Sequence, residues 1–524
     1  MKELLLGNEA IARGAYEANV CVATGYPGTP SSEVIYDISY NYKEIQSEWS
    51  ANEKVALEIA IGASIAGVRS IVTMKHVGLN VAADPLMTLS YTGVNGGILI
   101  YVADDPGMHS SQNEQDTRNY GKFAKIPILE PSDSMEAKEF VKIGLDISEN
   151  FDTPTILRGV TRVAHSKSIV ELSEPKRKKT HVNYNKNKAK YVMMPLYAVP
   201  RHPIVLERYK KLIDFSNDFE YNTVEYNSKE IGIVTHGFIY NYVKEALKDA
   251  SVFKVSMYPL PIEKIREFAS NVKKLYVIEE LDAFIEEELK INGINCIGKE
   301  IIPSYGELSV DIIKKAFGIK TSGENISLEN LPKRPPVLCK GCGHIPVFEV
   351  LKKLNICVMG DIGCYTLGAL PPYDAMDTTI CMGASVGMEI GFKKIEKITN
   401  KKIPSVAVIG DSTFFHSGMT HLVNAVYNND PITLVILDNR ITAMTGHQPN
   451  ISTGLTSKLE KTNLIDLEKL IKGMGVKRVT KVNAYKKEEL EKTITEEINS
   501  NEVSVIIVEE ICVIAEPLIK KYRK

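Results

Sequence analysis

The sequence predicts an α/β protein of three doubly wound domains with mainly parallel sheets. Three observations predict it. Short β-branched runs recur along the 524 residues, each followed by a longer amphipathic stretch. The runs are nearly continuous in apolar residues rather than alternating, which is the pattern of strands covered on both faces. Two polar, helix-breaking stretches sort the runs into three groups.

In chain order, the runs at 71–73, 98–102 and 155–157 supply strands to a first domain, 1–165. The Lys- and Asn-rich stretch 166–195, with its basic run at 176–179, reads as a solvated linker. Runs at 231–234, 252–255 and 275–278 belong to a second domain, 196–320. The stretch 320–336 ends in a proline pair, which favours extended chain and stops helices. Runs at 357–359, 406–409, 434–437 and 505–508 then make a third domain, 335–524. The length suits about three domains.

Bulk composition narrows the function. Hydrophobic residues make up 44% and charged residues 24%, a soluble globular balance. A formal net charge of −2 gives no reason to expect nucleic acid or an anionic membrane as partner. No apolar run reaches the roughly 18 residues of a membrane span. The N-terminus turns polar too soon for a signal peptide, so a cytoplasmic location is expected. Eight cysteines are few for a secreted disulfide scaffold and are expected as thiols or metal ligands.

The most informative segment lies in the third domain. A predicted strand ends in Gly410-Asp411-Ser412, and the next ends in Asp438-Asn439, with Asn439 28 positions after Asp411. Parallel strands bring such ends together at the carboxyl edge, where open α/β sheets bind ligands. A magnesium ion there wants oxygen ligands, including phosphates. Asp411 offers a carboxylate, Asn439 an amide oxygen and Ile441 a backbone carbonyl. Gly410 admits a diphosphate, and Ser412 can cap a helix. Neither a Walker P-loop nor a G-x-G-x-x-G fingerprint is present.

This arrangement resembles the thiamine-diphosphate motif, usually Gly-Asp-Gly followed by Asn, with Ser412 as a departure at the third position. The fold then expected is that of thiamine-diphosphate enzymes. Their chemistry needs a carboxylate beside N1′ of the aminopyrimidine, and the helical segment 48–64 offers Glu53 and Glu58. It resembles the pyrimidine-domain helix of 2-oxoacid:ferredoxin oxidoreductases, whose glutamate stands nine residues before the glycine of Gly-Ala-Ser; Glu53 has that spacing to Gly62. The loop 25–32 resembles the family's Tyr-Pro-x-Thr-Pro-Ser-Ser loop, which places Thr29 near the oxo acid. The blocks 73–85, 104–116 and 410–418 together resemble the large subunits of indolepyruvate ferredoxin oxidoreductases.

That resemblance carries further expectations. Gly383, Ala384, Ser385 and His416 join Gly410, Asp411, Ser412 and Asn439 as cofactor-binding residues. Arg118 or His109, near the carboxyl edge of the run 98–102, is expected to meet the substrate carboxylate, since arginine pairs with carboxylates by two hydrogen bonds. Cys339, Cys342, Cys364 and Cys512 match the places of cysteines that hold one [4Fe–4S] cluster. Zinc and plain buried thiols are the competing readings of the four. The tail of two Cys-rich ferredoxin-like runs usual in relatives does not follow, so the distal electron relay is expected to be missing or to come from another chain.

The activity implied is oxidative decarboxylation of arylpyruvates to acyl-coenzyme A and carbon dioxide, with electrons passing to ferredoxin. Implied partners are a smaller β subunit resembling the γ domain of related enzymes, and a second copy of this chain in an α2β2 assembly, with thiamine at the interface of the large subunits. Two rival expectations are a non-oxidative thiamine decarboxylase and a non-catalytic scaffold subunit.

Overall fold

The computed structural model describes residues 1–175, 183–321 and 335–523. These form two compact units, Met1–Ser327 and Leu328–Lys524. The basic run 176–179 and most of the proline-containing stretch 320–336 lie outside the described residues. Among the described residues no helix is long and apolar enough to cross a membrane.

The first unit contains β1 (Lys2–Leu6), β2 (Val22–Gly25), β3 (Gln46–Trp49), β4 (Ser70–Lys75), β5 (Ile98–Asp104), β6 (Ile128–Leu129), β7 (Thr155–Val160) and β8 (Lys167–Glu171). Then come β9 (Thr223–Glu225), β10 (Ile231–His236), β11 (Ser251–Val255), β12 (Met257–Tyr258) and β13 (Lys274–Ile278). Seven of these make one sheet in the order β12-β6-β7-β5-β4-β2-β3. All its neighbours pair parallel except β12 with β6. A second sheet, β13-β10-β11-β9, is parallel apart from β9. β1 and β8 pair antiparallel as a separate ribbon.

The central strands β4, β5 and β7 are buried at every residue. That is why their apolar runs read clearly from the sequence. All ten predicted runs fall on strands. Two of the strands that escaped prediction are polar: β3 reads Gln-Ser-Glu-Trp, and β17 (Arg478–Asn483) reads Arg-Val-Thr-Lys-Val-Asn.

A buried ionic network links the carboxyl ends of the two larger sheets of this unit. Arg118 has its side chain wholly buried; its Nε donates to both oxygens of Asp116 at 2.9 and 3.0 Å, and Nη1 donates to Glu279 at 2.7 Å. Arg158, also buried, donates to Asp104 at 2.7 Å and pairs with Glu130. Glu130 in turn meets His236 Nδ1 at 2.7 Å and accepts from the Tyr258 hydroxyl at 3.1 Å. Burial alone would raise the carboxyl of Asp116, but Arg118 and Arg158 hold it below its ordinary value.

The second unit has one wholly parallel sheet, β14 (Cys357–Met359), β15 (Ser405–Gly410), β16 (Thr433–Asp438), β17 and β18 (Ser504–Glu509), in the order β14-β15-β16-β18-β17. Helices cover both faces. One core gathers Val347, Phe348 and Leu490; the other gathers Val386, Phe414 and Leu422.

Removing one partner of a buried ion pair leaves the others as uncompensated buried charge. Arg118→Met should therefore lower the unfolding free energy by about 3–5 kcal/mol. Urea denaturation followed by circular dichroism checks this; a loss below about 1 kcal/mol would place Arg118 with ordinary surface pairs.

Candidate active site

In the second unit, β15 and β16 pair with Gly410 opposite Leu437, so Asp411 and Asp438 stand level just past the end of that pairing. Both carboxylates are buried. Asn450 Nδ2 donates to Asp411 Oδ2 at 2.9 Å, while Asp438 Oδ1 is buried with no hydrogen-bond partner. Burial, and then the Asp438 carboxylate, push the Asp411 carboxyl up to about 8. Asp438 is raised as well, first by its burial. Two buried acids with an orphaned oxygen between adjacent strand ends fit a divalent cation.

Neighbouring residues shape the same strand ends. A Cβ on Gly410 would lie 2.7 Å from Tyr365 Cε1, so only glycine leaves room there. Ser412 Oγ lies 2.8 Å from Thr442 Oγ1, and Asn439 Oδ1 accepts from the Ile441 amide at 3.1 Å. Gly383 adopts φ +90°, and a Cβ on it would lie 2.6 Å from Ser417 Cβ. It starts the helix Ala384–Thr399, whose first amides face the Asp361 carboxylate: Gly383 N at 2.8 Å and Ser385 N at 3.0 Å. His416 is buried, with Nδ1 2.6 Å from Ser417 Oγ.

Cys339, Cys342, Cys364 and Cys512 line one cavity, together with Asn439 and His344. None of the four is in a disulfide. Burial, reinforced by the neighbouring cysteines, pushes the Cys364 thiol up to about 12. His344 is buried, both its ring nitrogens lack partners, and desolvation pushes it down to about 4. Among the described residues no group of three or more His, Cys, Asp or Glu is arranged as a ready metal site. The four cysteines that line the cavity, from segments up to 173 positions apart, have the donor chemistry of a thiolate-bound cluster.

In the first unit, Glu53 opens the helix Glu53–Ile65, which Asn52 caps by accepting the Val55 amide at 2.9 Å. Glu53 is buried, and its carboxylate lies against the backbone of the helix His76–Val81: a Cβ on Gly78 would fall 2.5 Å from Glu53 Oε1. Glu58 is exposed and paired with Lys54. Thr29 is half-buried in the loop after β2, and its carbonyl accepts from Ser110 Oγ at 3.3 Å. His109 is exposed, 3.4 Å from the Glu307 carboxylate. Arg118 has its guanidinium engaged by Asp116, Glu279 and the Glu280 carbonyl, so it presents no face to a ligand. The reading of Arg118 as a substrate contact is corrected accordingly: it is a structural clamp.

Four polar residues at or reaching these strand ends escaped prediction. Asp438 sits beside the motif residue Asn439, and its position at a strand end was the signal that could have found it. Lys75 and His76 lie inside the block 73–85, unassigned. Asn450 has no local signal, since it reaches Asp411 from a loop 39 residues on.

Comparison with known proteins accords with this geometry. Residues 361–508 match the thiamine pyrophosphate enzyme C-terminal TPP-binding domain, and residues 13–231 match the pyruvate flavodoxin/ferredoxin oxidoreductase thiamine-diphosphate-binding model. The chain is thus a thiamine-diphosphate-binding protein of the 2-oxoacid:ferredoxin oxidoreductase class. It is 43% identical to the indolepyruvate oxidoreductase subunit IorA of Archaeoglobus fulgidus, over 98% of this chain and 87% of that one. The IorA of Pyrococcus horikoshii is 40% identical, over 98% and 86%. The chain belongs to the IorA family. Among solved structures, the 2-oxoglutarate:ferredoxin oxidoreductase of Magnetococcus marinus shares the fold, with a TM-score of 0.50 at 16% identity over 60% of this chain and 65% of that one.

The Asp411–Asp438 pair has a measurable consequence without any ligand. Burial, and then the Asp438 carboxylate, make folded Asp411 keep its proton well above the range in which an ordinary aspartate releases it. Over that interval the folded state binds more protons, so stability falls as pH rises. Asp438→Asn removes the facing charge. It should flatten that fall and raise the melting temperature of the cofactor-free protein at pH 8 by roughly 2–4 °C per kcal/mol gained. Scanning calorimetry at pH 5 and pH 8 checks it, and a uniformly lower melting temperature would show that Asp438 is needed for packing instead.

Proposed function

We propose that this chain is the thiamine-diphosphate-bearing subunit of an enzyme that oxidatively decarboxylates arylpyruvates of the indolepyruvate type. The acyl group goes to coenzyme A and the electrons go to ferredoxin. The observation that carries the reading is the buried Asp411–Asp438 pair at adjacent parallel strand ends, in a domain whose family binds thiamine diphosphate. When bound, thiamine diphosphate supplies a nucleophilic C2 and an electron sink for decarboxylation, and an iron–sulfur cluster supplies a one-electron acceptor.

The chain's own residues divide the remaining work. Asp411, Asn439 and the Ile441 carbonyl would hold magnesium, with Asp438 level with Asp411 on the adjacent strand. Gly383, Ala384, Ser385, Ser412 and His416 line the diphosphate position, where Gly410 leaves space. Glu53 holds a proton at N1′ from a buried, capped helix start, an environment suited to proton exchange. Thr29 orients the oxygen of the oxo acid, with His109 on the exposed side of the same region. Cys339, Cys342, Cys364 and Cys512 would hold one [4Fe–4S] cluster, and Asn439 lines the same cavity. The active form is two copies of this chain with two of a smaller β subunit, in the cytoplasm.

Asp411→Ala should abolish magnesium-dependent binding of thiamine diphosphate in isothermal calorimetry, because the diphosphate loses its metal bridge. Unchanged affinity would overturn the assignment. Glu53→Gln should bind the cofactor normally yet lose most exchange of the C2 proton, measured by deuterium uptake, and wild-type exchange would move the role away from Glu53. An anaerobic screen of indolepyruvate, phenylpyruvate, pyruvate and branched-chain oxo acids, with the smaller subunit added, tests the substrate class.

A further inference from the structure

The carboxyl edge of the seven-stranded sheet holds a cation that neither the family motif nor the reading above uses. Lys75 is the last residue of β4, between the ends of β5 and β2. Its side chain is buried, and its Nζ donates to the Ser110 carbonyl at 2.7 Å and to Ser110 Oγ at 3.1 Å. The one carboxylate that it pairs with, Asp105, stands 3.8 Å away, beyond hydrogen-bond range. Asp105 is itself engaged by the Ser110 amide at 2.9 Å, by Ser111 Oγ and by Thr161 Oγ1 at 2.9 Å. An ammonium has three donors, and these contacts leave one of them without an acceptor.

The surroundings place Lys75 beside the loop that carries Thr29. A Cβ on Gly28 would lie 3.1 Å from Lys75 Cβ, so the glycine before Thr29 makes room for the lysine stem. Ser110 joins the two elements, since its Oγ also donates to the Thr29 carbonyl at 3.3 Å. Three residues beyond Lys75, Gly78 carries the Glu53 carboxylate against its backbone. Thr29, Lys75 and Glu53 therefore lie around the ends of neighbouring strands, with Lys75 as the buried cation among them.

We infer that Lys75 is the residue that binds the carboxylate of the 2-oxo acid. The inference rests on the function proposed above and takes the place of Arg118, whose charge is already neutralised. Desolvation pushes the Lys75 amine down to about 8 against the opposing pull of Asp105, and an incoming anion within reach of Nζ would stabilise its charged form further. Its reach is that of a single ammonium, which selects for a carboxylate and leaves the rest of the substrate unrestrained.

The test uses the complete enzyme with its smaller subunit, loaded with magnesium and thiamine diphosphate. The KM of an arylpyruvate is measured beside the inhibition constant of its methyl ester, a neutral competitor that lacks the carboxylate. Lys75→Gln keeps an N–H for Ser110 and removes the charge. It should raise the KM of the acid at least about tenfold, the loss of one charge-assisted hydrogen bond, and leave the ester's constant within about twofold. Lys75→Arg, which retains the charge, should keep most of the preference for the acid. If both constants rise together in Lys75→Gln, the lysine only supports the Ser110 loop and the inference is overturned. If neither moves, it is overturned as well. Should the wild-type complex turn over no 2-oxo acid at all, the proposed function fails, which is a different outcome from normal turnover with an unchanged acid-to-ester ratio.

Discussion

Parallel strand pairing is the constraint on which the candidate sites depend. Adjacent parallel strands end on the same edge, so the residues that follow them meet without being neighbours in sequence. In the second unit this sets Asp411 level with Asp438 across the β15–β16 pair. In the first it gathers the Thr29 loop, Lys75 and the Asp104–Asp105 turn at the ends of β2, β4 and β5. The helices that return the chain bury both sheet faces. They leave the carboxyl edge as the place where polar groups can collect, and the buried charges described above lie there.

The legibility of the sequence followed burial closely. Strands covered on both faces are apolar at almost every position, so β4, β5, β15 and β16 could be read directly. β3 and β17 could not, because partial exposure lets polar residues in. Asp411 and Asn439 were legible because they sit in strand-end positions with recognisable neighbours. The helix that Glu53 opens was legible from its pattern, and the choice of Glu53 within it rested on the resemblance alone. The four cysteines are spread from 339 to 512, and their convergence on one cavity is a property of the fold that no local pattern announces.

Arg118 shows where such reading fails. An arginine just past a buried strand looks the same in sequence whether it faces a ligand or an acid of its own chain. Here the deciding partner, Glu279, lies 161 residues away and arrives with a different sheet. Lys75 is the converse case. It was visible inside a polar block but had no assigned task, and only the three-dimensional count of its acceptors shows a donor left over. Glycines behave in the same way: Gly410 has ordinary backbone angles, and its necessity comes from the Tyr365 ring beside it.

The facing carboxylates of the second unit also bear on how long a chain survives in the cell. A ligand that binds only the folded form raises the folded fraction by mass action, and the gain grows with its concentration. A cation and diphosphate seated beside Asp411 would take the place of the proton that burial and the Asp438 carboxylate keep on it in the empty chain. Newly made chains that lack them open more often and present themselves to proteases sooner. Faster turnover of empty than of loaded chains is the consequence that mass action attaches to such a site.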